Sequence, residues 1–303
     1  MIPVQDRARA LLDWYAAYGR RALPWRRTRD PYRVLVSEFM LQQTQVDRVI
    51  PLYDRFVERF PTFDALAAGA SGDVLRLWRG LGYNSRALRL HDLAIAVVAL
   101  GELPRDRDRL LALPGVGPYT ASAVRAFAFD YDDAAMDTNL RRVVHRTLYG
   151  LEHPPLATPA ELDRRATQEL PSGAGHDWNS AMMDLGATIC TARAPKCLIC
   201  PLQPWCVAAP IDVASLGERA RTHAPRRSPQ ESLPFERTTR FLRGRIVDRL
   251  RDLPGDAVLS VDRLVADLTG AVPADRLVEL VPTIEALERE RILTREESGI
   301  RLR

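Results

Sequence analysis

The chain of 303 residues is short of lysine, cysteine and long apolar runs. Lys196 is the single lysine among 43 basic residues; the rest are arginine. Chemistry that needs a reactive side-chain amine therefore has one residue to draw on. No stretch of about 18 apolar residues occurs, which excludes a membrane-crossing helix. Residues Met1 to Tyr15 carry Asp6, Arg7, Arg9 and Asp13 and lack the apolar core of a secretion signal, so a cytoplasmic location is expected. Alternating apolar stretches of strand length are scarce, which argues against a β-rich core. The apolar fraction of 46% is enough to bury a core without staples. A net charge of +4 is too mild to identify a polyanionic partner.

All four cysteines fall between Cys190 and Cys206, spaced C-x6-C-x2-C-x5-C with Cys197 and Cys200 between them. A disulfide framework would spread them through the chain, so this cluster reads as a metal site. The spacing alone admits tetrahedral zinc or an iron–sulfur cluster. Pro201 and the six-residue first gap lean toward iron–sulfur.

Through the first 210 residues apolar side chains recur at helical spacing, as in Val34-Leu35-Phe39-Leu41 and Leu90-Leu93-Val97. Pro24, Pro31, Pro51, Pro61, Pro104, Pro114 and Pro171 punctuate them. This predicts an all-α core over 1–211. Residues 212–232, with Arg219, Arg221, Arg226, Arg227, Pro225 and Pro229, read as a basic linker. From 233 to 303 a small, charge-neutral unit follows, with 13 arginines against 13 acidic residues. Helical patterns at 241–250, 261–268 and 277–292 precede a closing hairpin at 292–303. That order suits a winged helix, and equally a plain helical appendage.

Leu113-Pro114-Gly115-Val116-Gly117-Pro118 lies between two helical patterns. Glycines around one apolar residue make a tight turn, and Pro118 is a good first residue for the next helix. The free N–H groups of such a turn can hold a phosphate, as in a helix-hairpin-helix, although a plain αα-turn has the same pattern. Two carboxylates stand out. Glu38 shares a helical face with Val34 and Leu41, a setting that favours its neutral form or a buried partner. Asp137 precedes Thr138-Asn139-Leu140 as a helix N-cap, where the helix terminus favours the charged form. One neutral and one ionised carboxylate are what glycosidic cleavage requires.

Together these segments resemble the helix-hairpin-helix DNA glycosylases of the endonuclease III superfamily, in particular the MutY-type adenine glycosylases. The resemblance covers about residues 8–210 and rests on Leu23-Pro24-Trp25-Arg26, Ser37-Glu38-Phe39-Met40-Leu41-Gln42-Gln43-Thr44-Gln45-Val46, Gly80-Leu81-Gly82-Tyr83, Leu113-Pro114-Gly115-Val116-Gly117, Met182-Met183-Asp184-Leu185-Gly186-Ala187 and the cysteine loop. It implies a [4Fe–4S] cluster on the four cysteines, a six-helix barrel over about 23–137, and an iron–sulfur lobe from 1–22 and 138–211. It implies double-stranded DNA carrying a mismatch or lesion as partner, and a place beside the nucleoid.

The resemblance also implies roles. Glu38 would protonate the departing base. Asp137, assisted by Asn139, would stabilise or attack the oxocarbenium-like sugar. Leu41, Gln43, Thr44 and Tyr83 would engage the duplex at the lesion. The Gly115-Val116-Gly117 turn and Lys196 (with Arg193) would meet phosphates. Trp25, Arg26 and Ser180 would line the base pocket. Tyr119 occupies the position where strand-cleaving members carry a Schiff-base lysine, so base release without lyase activity is expected.

Three departures bear on the substrate. Thr138 replaces a usual glycine, Asn84 a usual aromatic, and Ser180 a usual Glu or Gln. No strand pattern comparable to the larger strand-rich C-terminal domain of typical members appears after Leu233. The expected reaction is removal of adenine opposite 8-oxoguanine or guanine. The alternative is removal of thymine or uracil opposite guanine. A non-catalytic DNA-binding iron–sulfur protein is disfavoured by the intact carboxylates. A monomer is expected, with the C-terminal domain available to a protein partner.

Overall fold

The structure is a computed structural model that describes residues 4–223, 233–255 and 257–303. It is helical apart from one two-stranded sheet among the described residues. The helices are α1 (Val4–Tyr18), α2 (Pro31–Leu41), α3 (Val46–Arg59), α4 (Phe63–Ala67), α5 (Ser71–Leu77), α6 (Ser85–Leu100), α7 (Arg107–Leu111) and α8 (Pro118–Phe129). They continue with α9 (Thr138–Leu148), α10 (Pro159–Glu169), α11 (Gly175–Thr188), α12 (Val213–His223), α13 (Thr239–Arg251), α14 (Val261–Leu268), α15 (Ala274–Leu277) and α16 (Leu280–Arg289). Strands β1 (Leu293–Glu296) and β2 (Gly299–Leu302) close the chain. No helix is long and apolar enough to cross a membrane among the described residues.

Local chemistry starts these helices where it should. The side chains of Thr62, Asp106, Thr158, Thr238 and Ser260 each accept a backbone N–H three residues on. Pro31, Pro118 and Pro159 open α2, α8 and α10. Pro51, read from sequence as a break, instead lies inside α3.

The chain divides into two compact units. One comprises Met1–Leu35, Pro104–Ala112 and Val116–Pro225. Its core packs α1, α9, α10 and α11 through Leu11, Tyr15, Leu140, Val144, Trp178 and Leu185. The other comprises Val36–Leu103, Leu113–Gly115 and Arg226–Arg303. Phe56, Phe60 and Trp78 meet at its centre, with Trp78 edge-on to Phe56 at 5.9 Å.

Two boundaries differ from the sequence reading. Residues 213–223, expected as linker, form α12. Asp212 accepts from the N–H groups of Ala214 and Ser215, and Leu216 is buried, so one cap and one apolar anchor suffice. Residues 224–232 of that expected linker lie outside the described residues. The C-terminal residues do not stand apart as their own body. They pack on α5 through α13 and β2, in the same unit as 36–103.

The C-terminal part is winged-helix-like, as expected. α13, α14 and α16 precede an antiparallel hairpin in which Leu293 pairs with Leu302 and Glu296 with Gly299. Leu259 adds a bridge to Ile300. The helix expected over 277–292 is the shorter α16, Leu280–Arg289, preceded by the single turn α15. Ile246, Leu250, Leu264, Ile284 and Ile300 fill the core.

Candidate active site and iron–sulfur loop

Asp137 sits at the N-terminus of α9, half-buried. Its Oδ1 accepts from the Leu140 N–H at 2.7 Å and its Oδ2 from Asn139 Nδ2 at 2.9 Å. The loop that delivers it is pinned by buried Asn179. Asn179 Oδ1 accepts from the Ala135 N–H at 2.8 Å, and Nδ2 donates to the carbonyls of Asp133 and Gly175. Behind Asn139, α11 approaches so closely that a Cβ on Gly186 would lie 2.6 Å from Asn139 Cβ. Glycine is required there for the two helices to meet.

Burial raises Asp137 above the ordinary carboxylate range, and the bonds from Leu140 and Asn139 with the nearby Arg142 charge only partly oppose it. Capping alone suggested a carboxylate that ionises readily. Desolvation wins instead, because the N-cap is half-buried rather than open to solvent.

From Asp137 a bonded path runs to the cysteine loop. Arg142 Nη2 donates to Asn139 Oδ1 at 2.9 Å and to the Gly186 carbonyl at 2.7 Å, and Arg142 Nε donates to the Cys190 carbonyl at 2.8 Å. One turn on, Arg146 is fully buried. It pairs with Glu152 through two bonds of 2.7 and 2.6 Å, donates to the Thr191 and Ala192 carbonyls, and reaches Cys190 Sγ at 3.6 Å. Burial works against both charges of the Arg146–Glu152 pair, but their mutual bonds outweigh it and hold Glu152 below its usual range.

Cys190, Cys197, Cys200 and Cys206 line one open pocket with Leu185, Ile189 and Leu202. None is in a disulfide. Among the described residues no three His, Cys, Asp or Glu side chains converge tightly enough for a single ion. Four thiols around a cavity fit a multi-iron cluster better than one tetrahedral zinc, whose ligands meet about 2.3 Å from the metal. Burial pushes the Cys190 and Cys206 thiols up, and the Cys200 thiol up to about 12, so cationic iron is what would stabilise the thiolates. Lys196 and Arg193 are exposed on the loop.

Trp25, Arg26 and Ser180, expected in the base pocket, all lie in this unit. Arg26 Nη1 donates to Asp184 Oδ2 at 2.8 Å, and Arg20 bonds the other carboxylate oxygen. Burial opposes the Asp184 charge, but the Arg26 and Arg20 bonds outweigh it and hold Asp184 low. Ser180 is fully buried and meets Arg26 only through its carbonyl, at 3.4 Å. Its position on α11 faces inward. Trp25 is buried as well.

In the other unit Glu38 is buried on α2. Gln43 and Tyr83 both have positive φ, 55° and 46°. Non-glycine residues rarely adopt that region, and such strain gathers at functional sites. The organiser here is Arg86, which sequence reasoning missed. Its buried guanidinium donates to the carbonyls of Phe39, Met40, Leu81 and Gly82, to that of Gln42, and to Thr44 Oγ1. Thus it ties the turn after α2 to the turn before α6. Burial pulls Arg86 down to about 10, which leaves it charged at neutral pH. Gly115 has φ 74°, and a Cβ there would press on Phe39 and Arg89 at 3.0 Å, so this turn also requires glycine. Gly117 caps α8 without a side chain, and Tyr119 follows in the first turn.

Residues 36–169 match the HhH-GPD superfamily of base excision DNA repair proteins, and residues 190–206 the iron–sulfur binding domain of endonuclease III. An adenine DNA glycosylase of Mycolicibacterium smegmatis is 42% identical over 247 residues, spanning 80% of this chain and 79% of that protein. The chain belongs to the adenine DNA glycosylase family of the HhH-GPD superfamily. Among solved structures, a thermostable thymine-DNA glycosylase is similar at 34% identity and TM-score 0.61, over 67% of this chain and 96% of that one. A non-covalent endonuclease III–DNA complex is similar at 25% identity and TM-score 0.58, over 73% and 100%. The cofactor of the family's cysteine loop is a [4Fe–4S] cluster, held here by Cys190, Cys197, Cys200 and Cys206.

Proposed function

We propose that the protein removes adenine from DNA where it is mispaired with 8-oxoguanine or guanine, and leaves an abasic site without cutting the strand. The arrangement around Asp137 carries this reading. A half-buried carboxylate with one oxygen on a helix N-terminus and the other on Asn139 is held still and partly desolvated. Such a group stabilises positive charge growing on a sugar far better than a mobile, hydrated one. Glu38, buried on α2, supplies the proton that lets the base leave. The base must be unstacked first, at a cost of a few kcal/mol that is least at a mismatch. Gln43 and Tyr83, in their strained turns, serve that step with Leu41 and Thr44. The Gly115–Gly117 turn, Lys196 and Arg193 meet phosphates. Cys190, Cys197, Cys200 and Cys206 would hold the cluster, which would cross-link the loop. Arg146 and Arg142 then hold that loop in register with α9.

Tyr119 offers no amine, so no Schiff base forms there and the strand stays intact. The identity to adenine DNA glycosylases supports adenine as the base. A second reading, thymine or uracil opposite guanine, is favoured by the likeness to a thymine-DNA glycosylase. Single-turnover reactions on duplexes holding A opposite 8-oxoguanine, A opposite G, T opposite G and U opposite G separate the two. Alkali added afterwards reveals abasic sites. Adenine release supports the first reading, and thymine or uracil release without it supports the second. We take the enzyme to act as a monomer in the cytoplasm, beside the chromosome.

A further inference from the structure

The segment Gly80–Asn84 is a turn with left-handed backbone at three of its five residues. Gly80, Gly82 and Tyr83 have φ of 94°, 70° and 46°. Arg86 holds it from within the unit's core through the carbonyls of Leu81 and Gly82. The C-terminal helix α13 holds it as well. The Arg240 guanidinium lies over the Tyr83 ring, 5.0 Å from its centroid. Arg251 Nη2 donates to Asn84 Oδ1 at 2.8 Å. Arg251 is itself fixed, with Nε on the Leu75 carbonyl at 2.9 Å and Nη1 on Asp248 at 2.9 Å, and its side chain is only 6% exposed.

The docking is broad rather than a single touch. Arg79 donates to the Asp248 carbonyl at 3.0 Å and to Asp252, and Ser71 donates to the Arg303 carbonyl at 2.7 Å. Gly72 lies so close to the chain's end that a Cβ would sit 3.2 Å from the Arg303 oxygen. The C-terminal module is therefore seated, and α13 presents Arg240 to Tyr83 from a fixed base. Arg240 is exposed, and among the described residues no carboxylate pairs with it. Tyr83 is 45% exposed, so a ring steered by Arg240 still faces what binds there.

We infer that the C-terminal module is a positioning element for the Gly80–Asn84 turn, with Arg240 setting the Tyr83 ring and Arg251 setting Asn84 for opening of the duplex. Arg240 is a positioning residue that acts through Tyr83. This rests on the reading of the protein as a DNA glycosylase. It assigns the module a task inside the chain, in place of a bare appendage. The Tyr83 ring lies between two guanidiniums, Arg240 and Arg86, the latter 5.7 Å from its centroid, and loses its aim when one of them goes. The step that suffers is extrusion of a paired base.

The test uses the full chain with its cluster, in four forms: wild type, R240A, Y83A and R240A/Y83A. Single-turnover base release is measured on a mispaired duplex and on one whose target adenine faces an abasic-site analogue. The expected result is a loss of about tenfold for R240A on the mispair. It shrinks to within about twofold when the target base has no pairing partner. R240A/Y83A is no slower than Y83A alone, as coupling through one ring demands. N84A, which removes the Arg251 acceptor without orphaning a buried cation, lowers the mispair rate severalfold with its melting temperature unchanged. Three results overturn the inference: R240A matching wild type, its loss adding in full to that of Y83A, or an equal loss on both duplexes with a reduced salt slope. The last would make Arg240 a phosphate contact only. If wild type releases no base from any duplex, the glycosylase reading itself fails, which is a different outcome.

Discussion

Asn139 donates to Asp137 Oδ2 at 2.9 Å while its own Oδ1 accepts from Arg142, so the amide can present its N–H face only to the carboxylate. This fixes the flip of Asn139 and the tilt of Asp137 together. Arg142 in turn is anchored to the Cys190 carbonyl. The carboxylate proposed to act on the sugar and the cysteine loop therefore share one bonded path.

Replacing Asp137 with Asn keeps an N-cap acceptor but removes the charge. Base release is expected to fall by about 10³-fold or more, the scale of losing a preorganised charged group. A raised folded pKa means that ionising Asp137 costs the fold stability as pH rises through the ordinary carboxylate range and beyond. D137N removes that cost but sets its own amide N–H against the Asn139 N–H that Asp137 Oδ2 accepts, so the rate of base release and not stability is its readout. Single-turnover kinetics check it.

The acid limb of the pH–rate profile should lie above the usual aspartate range, because the reaction needs Asp137 ionised and burial raises it. Asn139 opposes that rise by bonding the charged form. N139A is therefore expected to slow base release about 10- to 100-fold near neutrality and to move the acid limb to higher pH. A limb that stays in place would separate Asn139 from the ionisation of Asp137.

Removing the Arg146 side chain leaves Glu152 buried without its partner and two loop carbonyls without donors. The loss for such a broken buried pair is about 3–5 kcal/mol. R146A should lose visible iron–sulfur absorbance faster than wild type on incubation with a chelator. R146K keeps the charge but not the fork, and should fall between them. Absorbance decay and thermal melts follow both.

Placing an amine at the first turn of α8 tests the strand-cleavage argument. Y119K is expected to give strand breaks without alkali, and a covalent adduct with DNA that borohydride traps. Wild type should give neither, since its single lysine lies in the cysteine loop.

Much of this architecture is legible in the sequence, for local reasons. Asp137 before Thr138-Asn139-Leu140 is a cap in sequence and in structure. The C-terminal helices and hairpin follow from periodicity, as does the tight turn at Gly115–Gly117. The cysteine loop is visible from clustering alone. What escaped is set by tertiary burial. Nothing in the local sequence marks Arg86 or Arg146, yet each organises a buried web of carbonyls. Residues 213–223 read as linker because Leu216 is a lone anchor among polar residues. The direction of the Asp137 shift depends on what surrounds the cap, which no spacing shows. The seat of α13 joins Arg251 to Asn84, residues far apart in the chain, and gives the unexpected asparagine a partner. Ser180 faces inward although its motif suggests a pocket.

The most direct test of the central claim is identification of the released base by chromatography and mass spectrometry, from a duplex with A opposite 8-oxoguanine, under single turnover, for wild type and D137N. Free adenine from wild type, an intact strand carrying an abasic site, and no detectable adenine from D137N are predicted. Release of no base from that duplex with thymine or uracil freed opposite guanine, or adenine release that survives D137N, would contradict the account.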